Sequence, residues 1–214
     1  MSVTLPDRAD VVVVGGGVMG CSIAYHLAKR GVKDVVLLEK EPFLGSMSTG
    51  QCAGGIRHQF SSAINIELSK ISLQMLDRFA EEMDQDIDLR WVGYLFVLTD
   101  QADIEPFREN VRLQHRHGIM TQWLDPAEIK ALVPQINVDG VLAGTFYDRD
   151  GLADPSSVVA GYAKNARRLG AKLLNNVEVS GIERDHGAIV AVQTNQGRIA
   201  TPVVVNACGA WAPQ

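Results

Sequence analysis

Residues 11–20 of this 214-residue chain read VVVVGGGVMG. Four consecutive valines favour a strand that is buried on both faces, as in a parallel sheet. The glycines that follow have the spacing G-x-G-x-x-G, from Gly15 to Gly20. Apolar residues then recur at helical spacing as far as Gly31. The stretch therefore predicts a buried strand, a tight glycine turn and a helix in direct succession.

A second apolar run, residues 34–39, predicts another buried strand and completes a β-α-β unit. In this setting Gly15 permits the tight turn, Gly17 lets the backbone approach a pyrophosphate, and Gly20 allows close helix packing. The helix N-terminus would bind the pyrophosphate, and the carboxylate of Glu39 would accept hydrogen bonds from ribose hydroxyls. The pattern predicts a dinucleotide site but leaves NAD and FAD open, because both contain the same ADP moiety.

The composition excludes several classes of protein. The chain has 25 acidic and 20 basic residues, a net charge of −5, so we expect no nucleic-acid partner and no anionic membrane surface. Residues 11–28 lack charged carboxylates, lysine and arginine, but three central glycines argue against a membrane span or signal peptide. The distant Cys21, Cys52 and Cys208 exclude a disulfide scaffold and fit a reducing, cytoplasmic compartment. We also expect no metal site.

The rest of the chain predicts helices and short strands around one long loop. Residues 41–59 are rich in glycine and serine without periodicity, which is typical of a functional loop. Residues 64–83 predict a helix, and Asp154 followed by proline predicts the start of another. Residues 172–208 predict short strands joined by hairpin turns. The helix predicted at residues 64–83 has an apolar stripe that is expected in the core: Ile64, Leu68, Ile71, Met75, Leu76 and Phe79.

Several motifs together resemble the D-amino-acid-oxidase-type (DAO) family of FAD-dependent oxidoreductases. The resemblance is strongest to the branch of sarcosine oxidase β-subunits, glycine oxidase, and proline and sarcosine dehydrogenases. It runs along the whole chain and corresponds to the N-terminal half of family members. The motifs are Val11–Gly20, Leu37–Lys40, Ser48–Gly50, Gly54–Arg57 and Val205–Trp211.

The resemblance implies an α/β fold with a Rossmann-like FAD-binding domain of the glutathione-reductase type. Part of an α+β substrate domain would be inserted into it. The expected division is residues 1–83 for the first part of the FAD-binding domain, 84–150 for the partial substrate domain and 151–214 for the second FAD-binding part. The remainder of the family fold is expected to be absent from these residues.

The resemblance also implies roles for individual residues. The loop residues Ser48 to Gly50 would contact the pyrophosphate or ribityl group, and Gly54 and Gly55 would lie against the flavin ring. Val177 would contact the adenine through its backbone, while Trp211 is either a cofactor contact or a core residue. The expected cofactor-binding set is Gly15, Gly17, Val18, Met19, Gly20, Glu39, Lys40, Ser48, Thr49, Gly50, Gly54, Gly55, Val177, Ala207, Gly209 and Trp211.

Two neighbouring residues are candidates for substrate chemistry. Arg57 matches the family arginine that holds the substrate carboxylate, and its planar guanidinium can bind a carboxylate through two hydrogen bonds. His58 is either a residue that tunes the site or moves a proton, or a structural histidine.

The resemblance implies oxidation of a small secondary or N-methylated amino acid, similar to sarcosine, glycine or proline. The α-hydrogen would leave as hydride to flavin N5, and water would hydrolyse the imine. Partner subunits of a hetero-oligomer are possible, and oxidase and dehydrogenase activity are not distinguished. Two alternatives stay open: a NAD-linked dehydrogenase with the same glycine pattern, and a truncated FAD-binding piece without catalytic activity.

Overall fold

The computed structural model describes residues 4–212, which form two compact units. Unit 1 consists of the residues up to Ala53, of Glu81–Ile87 and of the residues from Asp154 onward, and unit 2 consists of Gly54–Ala80 and Asp88–Ala153.

None of the helices in the described part of the chain is long and apolar enough to cross a membrane. In chain order the elements are β1 (Val11–Val14), α1 (Val18–Lys29), β2 (Val35–Leu38), β3 (Gly55–Ile56), α2 (Ala63–Asp77), α3 (Phe79–Met83), β4 (Tyr94–Leu98), α4 (Gln101–Arg116), β5 (Gln122–Leu124), α5 (Pro126–Leu132), β6 (Ala143–Tyr147), β7 (Gly151–Leu152), α6 (Pro155–Arg168), β8 (Lys172–Leu174), β9 (Val179–Asp185), β10 (Ala188–Thr194), β11 (Gly197–Ala200), β12 (Val204–Asn206) and a 3₁₀ turn (Gly209–Trp211).

Unit 1 is built on a parallel sheet with the strand order β12-β1-β2-β8. All four side chains of β2 are buried because the sheet is covered on both faces. Leu37 packs under α1 near Gly20. Val36 and Leu38 point the other way and share an apolar cluster with Val192 of the antiparallel sheet β11-β10-β9. This arrangement confirms the predicted α/β, Rossmann-like fold.

The ends of two helices in unit 1 follow the sequence signals. Helix α1 begins directly after Gly17 and ends shortly before Gly31, whose φ of +91° is the left-handed conformation of a helix C-terminus. Helix α6 begins after Asp154, and the carboxylate of Asp154 accepts the backbone N–H groups of Ser156 at 3.3 Å and Ser157 at 2.9 Å. The predicted cap is therefore confirmed.

Unit 2 contains the antiparallel sheet β4-β6-β5 and the two-stranded ladder β3-β7. Helices α2 and α4 are joined at Glu67, whose Oε1 lies 2.7 Å from His117 Nδ1 and 3.2 Å from Lys70 Nζ. The hydrogen bonds from His117 and Lys70 hold the pKa of Glu67 below its usual value.

Unit 2 differs in its bounds from the predicted inserted domain, residues 84–150. It takes in residues 54–80, which the sequence placed in the first FAD-binding part, 1–83, and residues 151–153, whereas residues 84–87 belong to unit 1. The reason is the ladder β3-β7, in which Gly55 pairs with Leu152. The chain therefore enters unit 2 ahead of α2. The outermost predicted bounds, at the two chain ends, lie outside the described residues.

The core stripe predicted for the helix at residues 64–83 is wrong in its first half, whereas Phe79 at its far end is buried as predicted. Ile64, Leu68 and Ile71 are 66%, 55% and 56% exposed. Helix α2 instead buries Ile66 and Leu73, two residues seven positions apart on a different face. The helix carries two apolar stripes, and it buries only the one that packs inside unit 2. The predicted helix 64–83 is also interrupted, because α2 ends at Asp77 and α3 begins at Phe79.

Candidate functional site

Unit 1 holds a cavity of about 800 Å³ at the carboxyl edge of its parallel sheet. Val14, Leu38 and Asn206, the last residues of three adjacent strands, line this unit 1 cavity. Ligands of open α/β sheets bind beyond the carboxyl ends of the strands. The volume lies in the upper part of the range of small-molecule sites, ~300–1,000 Å³. This edge is therefore the candidate cofactor site.

The glycine turn at this edge is too tight for side chains. Gly15 has a φ of +106°, and a Cβ there would lie 2.6 Å from the carbonyl oxygen of Ala207. A Cβ on Gly20 would overlap the carbonyl oxygen of Gly15. These two glycines bring α1 directly against the end of β1, so that the helix N-terminus opens into the cavity.

The N-terminus of α1 has free hydrogen-bond donors. Its N-cap, Gly17, has no side chain, and no acidic residue lies in the first turn. The N–H of Val18 donates to Thr49 Oγ1 at 3.2 Å. The N–H groups of Met19 and Gly20 have no partner among residues 4–212. An anion placed here would meet unpaired donors and the positive end of the helix dipole.

Glu39 lies at the end of β2 and is held by the turn itself. Its Oε2 accepts the N–H of Gly16 at 2.6 Å, and its Oε1 accepts the N–H of Glu41 at 2.8 Å. The side chain is buried and lines the unit 1 cavity. Each carboxylate oxygen keeps further acceptor capacity, so hydrogen bonds from ribose hydroxyls are compatible with these contacts.

Lys40, Trp211 and Cys208 lie along the same cavity. The Nζ of Lys40 is 5.4 Å from the centroid of the Trp211 ring, within the range of a cation–π contact. Burial, with Glu39 nearby, raises the pKa of the Cys208 thiol, so this group is neutral at pH 7. Burial raises the pKa of Cys21, behind the turn, to about 12.

Four expected cofactor residues lie elsewhere. Gly20 and Gly50 shape turns, because a Cβ on Gly50 would lie 2.5 Å from the carbonyl oxygen of Gly45. Gly54 and Gly55 belong to unit 2, where the carbonyl of Gly54 accepts the N–H of Ala153 at 3.0 Å. The other expected residues line the unit 1 cavity: Gly15, Gly17, Val18, Met19, Glu39, Lys40, Ser48, Thr49, Val177, Ala207, Gly209 and Trp211.

Sequence reasoning missed the first half of the cavity-lining loop, Gly45 to Met47. Gly45 has a φ of +75°, and its N–H donates to the carbonyl of Gly16 at 2.9 Å. The N–H of Gly50 in turn donates to the carbonyl of Gly45 at 2.7 Å. Two glycines five residues apart were the signal for this compact turn.

Unit 2 holds a second cavity, of about 260 Å³, in which Arg57 lies among aromatic rings. The guanidinium carbon is 4.7 Å from the ring centroid of Phe60, 5.2 Å from that of Phe96 and 5.9 Å from that of Tyr94. Within the described part of the chain Arg57 has no carboxylate partner. Its planar set of N–H donors is therefore available to an anionic ligand.

His58 does not line either of these cavities. Its backbone N–H donates to Asp150 Oδ1 at 2.7 Å, and its Nδ1 lies 2.8 Å from the same oxygen. Gln59 Nε2 donates to the other oxygen, Oδ2, at 3.1 Å, and the Thr145 hydroxyl donates to Gln59 Oε1 at 2.8 Å. Asp150 is fully buried. These hydrogen bonds fix His58 and Gln59, the two residues that directly follow Arg57.

The family model described as FAD dependent oxidoreductase (DAO) matches residues 10–214. The chain belongs to the DAO family. It is 37% identical over 215 residues to the mitochondrial sarcosine dehydrogenase of Mus musculus, with 97% of this chain and 23% of that protein covered. It is 29% identical over 197 residues to sarcosine oxidase subunit beta of Rhodobacter capsulatus, with 90% and 47% covered. The crystal structure of L-proline dehydrogenase from P. horikoshii superposes with a TM-score of 0.88 at 39% identity, covering 98% of this chain and 55% of that one.

These comparisons confirm the predicted family and branch, and they decide the question that the glycine spacing left open. FAD is the cofactor of this family, and the unit 1 cavity fits it. The glycine turn leaves space that a Cβ would fill, the first turn of α1 offers unpaired N–H donors, and Glu39 lies at the end of the next strand. Among residues 4–212 no cluster of three histidine, cysteine or acidic side chains is arranged to hold a metal ion.

Proposed function

We propose that this chain serves the FAD-dependent oxidation of a small secondary or N-methylated amino acid. The observation that carries the proposal is the guanidinium of Arg57, which lies in an aromatic-lined cavity without a carboxylate partner. An unpaired guanidinium at such a place calls for an anionic ligand group, and amino acids supply a carboxylate. The names of the relatives favour sarcosine, proline or a similar substrate.

The residues of unit 1 would bind the cofactor. Bound FAD supplies the acceptor for the hydride that leaves the amino acid's α-carbon. The N–H of Met19, which lines the unit 1 cavity, would donate to its pyrophosphate, assisted by the dipole of α1. The Thr49 hydroxyl, which accepts the Val18 N–H, holds the loop against this helix end. The carboxylate of Glu39 would accept hydrogen bonds from the ribose hydroxyls, and its negative charge would repel a 2′-phosphate.

Arg57 would bind and orient the substrate. Two parallel hydrogen bonds to the carboxylate fix the direction of the Cα–H bond, which lowers the entropic cost of reaching a reactive geometry. The rings of Phe60 and Phe96 exclude water around the guanidinium and so strengthen its attraction for the carboxylate.

For His58 we propose a positioning role in place of an acid–base role. Arg57 and Gln59 both line the unit 2 cavity, whereas His58 between them contacts Asp150. The backbone N–H of His58 donates to Asp150, and this bond would hold the segment in the conformation that places Arg57 in the cavity lining.

The chain spans 23% of the length of the mouse sarcosine dehydrogenase and 55% of the proline dehydrogenase, so the activity of the whole protein belongs to this proposal. Partner subunits stay a prediction, supported by the relative that is named a β-subunit. A cytoplasmic location also stays a prediction, since it rests on three free cysteines and the mouse relative is named mitochondrial.

Replacement of Arg57 by lysine tests the proposal, because it keeps the charge and removes the planar pair of donors. We expect sarcosine, proline or glycine to reduce the FAD bound to the chain when oxygen is absent. Arg57→Lys should raise the half-saturating substrate concentration about tenfold or more. Arg108→Lys is the matched control, since Arg108 also lies over a ring, that of Trp123, but is exposed. An equal effect of both variants, or no reduction of the flavin by any of the three amino acids, would contradict the proposal.

A further inference from the structure

One of the residues that line the unit 2 cavity, Gln114, has a buried hydrogen-bond acceptor without a partner. Gln114 of α4 lines the cavity and is only 4% exposed. Its Nε2 donates to the carbonyl of Phe60 at 3.1 Å. Because that contact requires the amide nitrogen, the amide orientation is fixed and Oε1 is the remaining atom. Among residues 4–212, Oε1 has no hydrogen-bond partner.

A buried acceptor without a partner is rare in folded proteins and points to a group that the chain itself does not provide. Arg57 offers donors and Gln114 offers an acceptor, and both line one small cavity. No acidic side chain lines it, so an incoming ammonium has no carboxylate to pair with. The rest of the lining combines apolar rings, among them Phe96 and Phe107, with neutral polar side chains, among them Ser61 and Asn110. A ligand that satisfies both Arg57 and Gln114 must carry an anionic group and a hydrogen-bond donor together, and the amine of an amino acid supplies an N–H donor.

We propose that the unit 2 cavity binds the complete head group of an amino acid, with the carboxylate on Arg57 and an amine N–H on Gln114 Oε1. This inference rests on the proposed function and assigns Gln114 as a specificity-determining residue. An amine that retains an N–H satisfies the carbonyl of Gln114. A quaternary amine buries that carbonyl against methyl groups, and its binding is weaker for that reason.

A neutral acceptor also suits the chemistry that the site serves. A carboxylate at this position would stabilise the charged ammonium and raise the pKa of the substrate amine. The amide carbonyl accepts an N–H from the ammonium and from the neutral amine alike. It therefore holds the nitrogen of the neutral amine as well, which is the form from which a hydride can depart.

The test compares two ligands that differ at the nitrogen, sarcosine and glycine betaine. Binding to the 214-residue chain is measured by the NMR shift of the Arg57 Nε–H, which needs no flavin turnover. We expect sarcosine to bind about tenfold more tightly than glycine betaine. Gln114→Met, which keeps the size and removes the acceptor, should abolish this preference by weakening sarcosine alone.

Gln101→Met is the matched control, because Gln101 is exposed on the first turn of the same helix; it should leave the preference unchanged. Equal affinities of the two ligands in the unchanged chain would overturn the inference, and so would an equal loss of both in Gln114→Met. Binding of neither ligand, with the cavity holding only water, would overturn it as well. If FAD is reduced by sarcosine while Gln114→Met has no effect on binding, the inference fails and the proposed function stands. If the preference is found but FAD is not reduced, the proposed function fails alone.

Discussion

At the level of single residues, existing hydrogen bonds decide which polar groups are left for a ligand. Asp150 is buried, and both of its oxygens are occupied by donors from His58 and Gln59. Glu39 is held by two backbone N–H groups but faces a cavity. Arg57 is surrounded by rings and is free of carboxylates within the described residues. Asp150 is therefore structural, while Glu39 and Arg57 are available for recognition.

Removal of the Asp150 carboxylate should destabilise unit 2. Asp150→Ala leaves the N–H of His58 and an amide N–H of Gln59 buried without acceptors, and we expect a loss of about 3 kcal/mol in the free energy of unfolding. Asp148→Ala changes an exposed carboxylate in the same β6-β7 turn and is the control. Urea unfolding measures both. If Asp150→Ala lowered the free energy of unfolding by no more than Asp148→Ala does, the hydrogen bonds of Asp150 to His58 and Gln59 would not be what stabilises unit 2.

The three cysteines should differ in their reaction with iodoacetamide, because the thiolate is the reactive form. Cys52 is exposed and should react first. Cys208 should react only as the pH rises above the ordinary thiol range, since burial raises its pKa, and bound FAD should protect it. Cys21, with a pKa of about 12, should stay unmodified. Mass spectrometry of the peptides measures this order; protection of Cys52 but not Cys208 by FAD would contradict the cavity assignment.

At the level of elements, helix ends carry both stability and recognition. The N-terminus of α6 is capped by Asp154, whereas that of α1 has a glycine cap and unpaired donors. Two helices of one unit thus use the same backbone groups differently. In α6 a side chain satisfies them, and in α1 they are left for an anion.

The cap of α6 should contribute about 1 kcal/mol, which Asp154→Ala would remove. The hydroxyl and backbone N–H of Ser157 hold the pKa of Asp154 below its usual value. The pH-dependent part of this contribution is therefore complete above the ordinary aspartate range and is lost as the pH falls through the lowered pKa. Asp154→Asn keeps an acceptor and does not titrate, so it should remove the pH dependence but not the cap. Urea unfolding at neutral and acid pH distinguishes these variants, and an unchanged stability of Asp154→Ala would contradict the capping role.

At the level of the whole molecule, the features that the sequence predicted are local ones. The turn from Gly15 to Gly20 and the acid at Glu39 lie within one β-α-β unit, and their spacing is set by backbone geometry. The cap at Asp154 depends only on the next few residues. Such features can be read without knowing the rest of the fold.

The features that were missed depend on distant partners. Helix α2 has two apolar stripes, and only the packing of unit 2 selects Ile66 over Ile64 for burial. His58 and Asp150 are 92 positions apart, and no local pattern joins them. Gln114 is an ordinary helix residue until its helix places it beside the cavity of Arg57.

The most direct measurement is the FAD affinity of the chain and of Met19→Asp. Met19 is exposed in the first turn of α1. An acid there stabilises the helix end but repels a pyrophosphate, so a loss of FAD cannot be attributed to unfolding. Ser156→Asp places the same charge in the first turn of α6 and is the control. We expect the unchanged chain and Ser156→Asp to retain FAD, and Met19→Asp to bind it about tenfold more weakly or worse. Equal FAD binding by both variants, or no retention of FAD by the unchanged chain, would contradict a cofactor site at the N-terminus of α1.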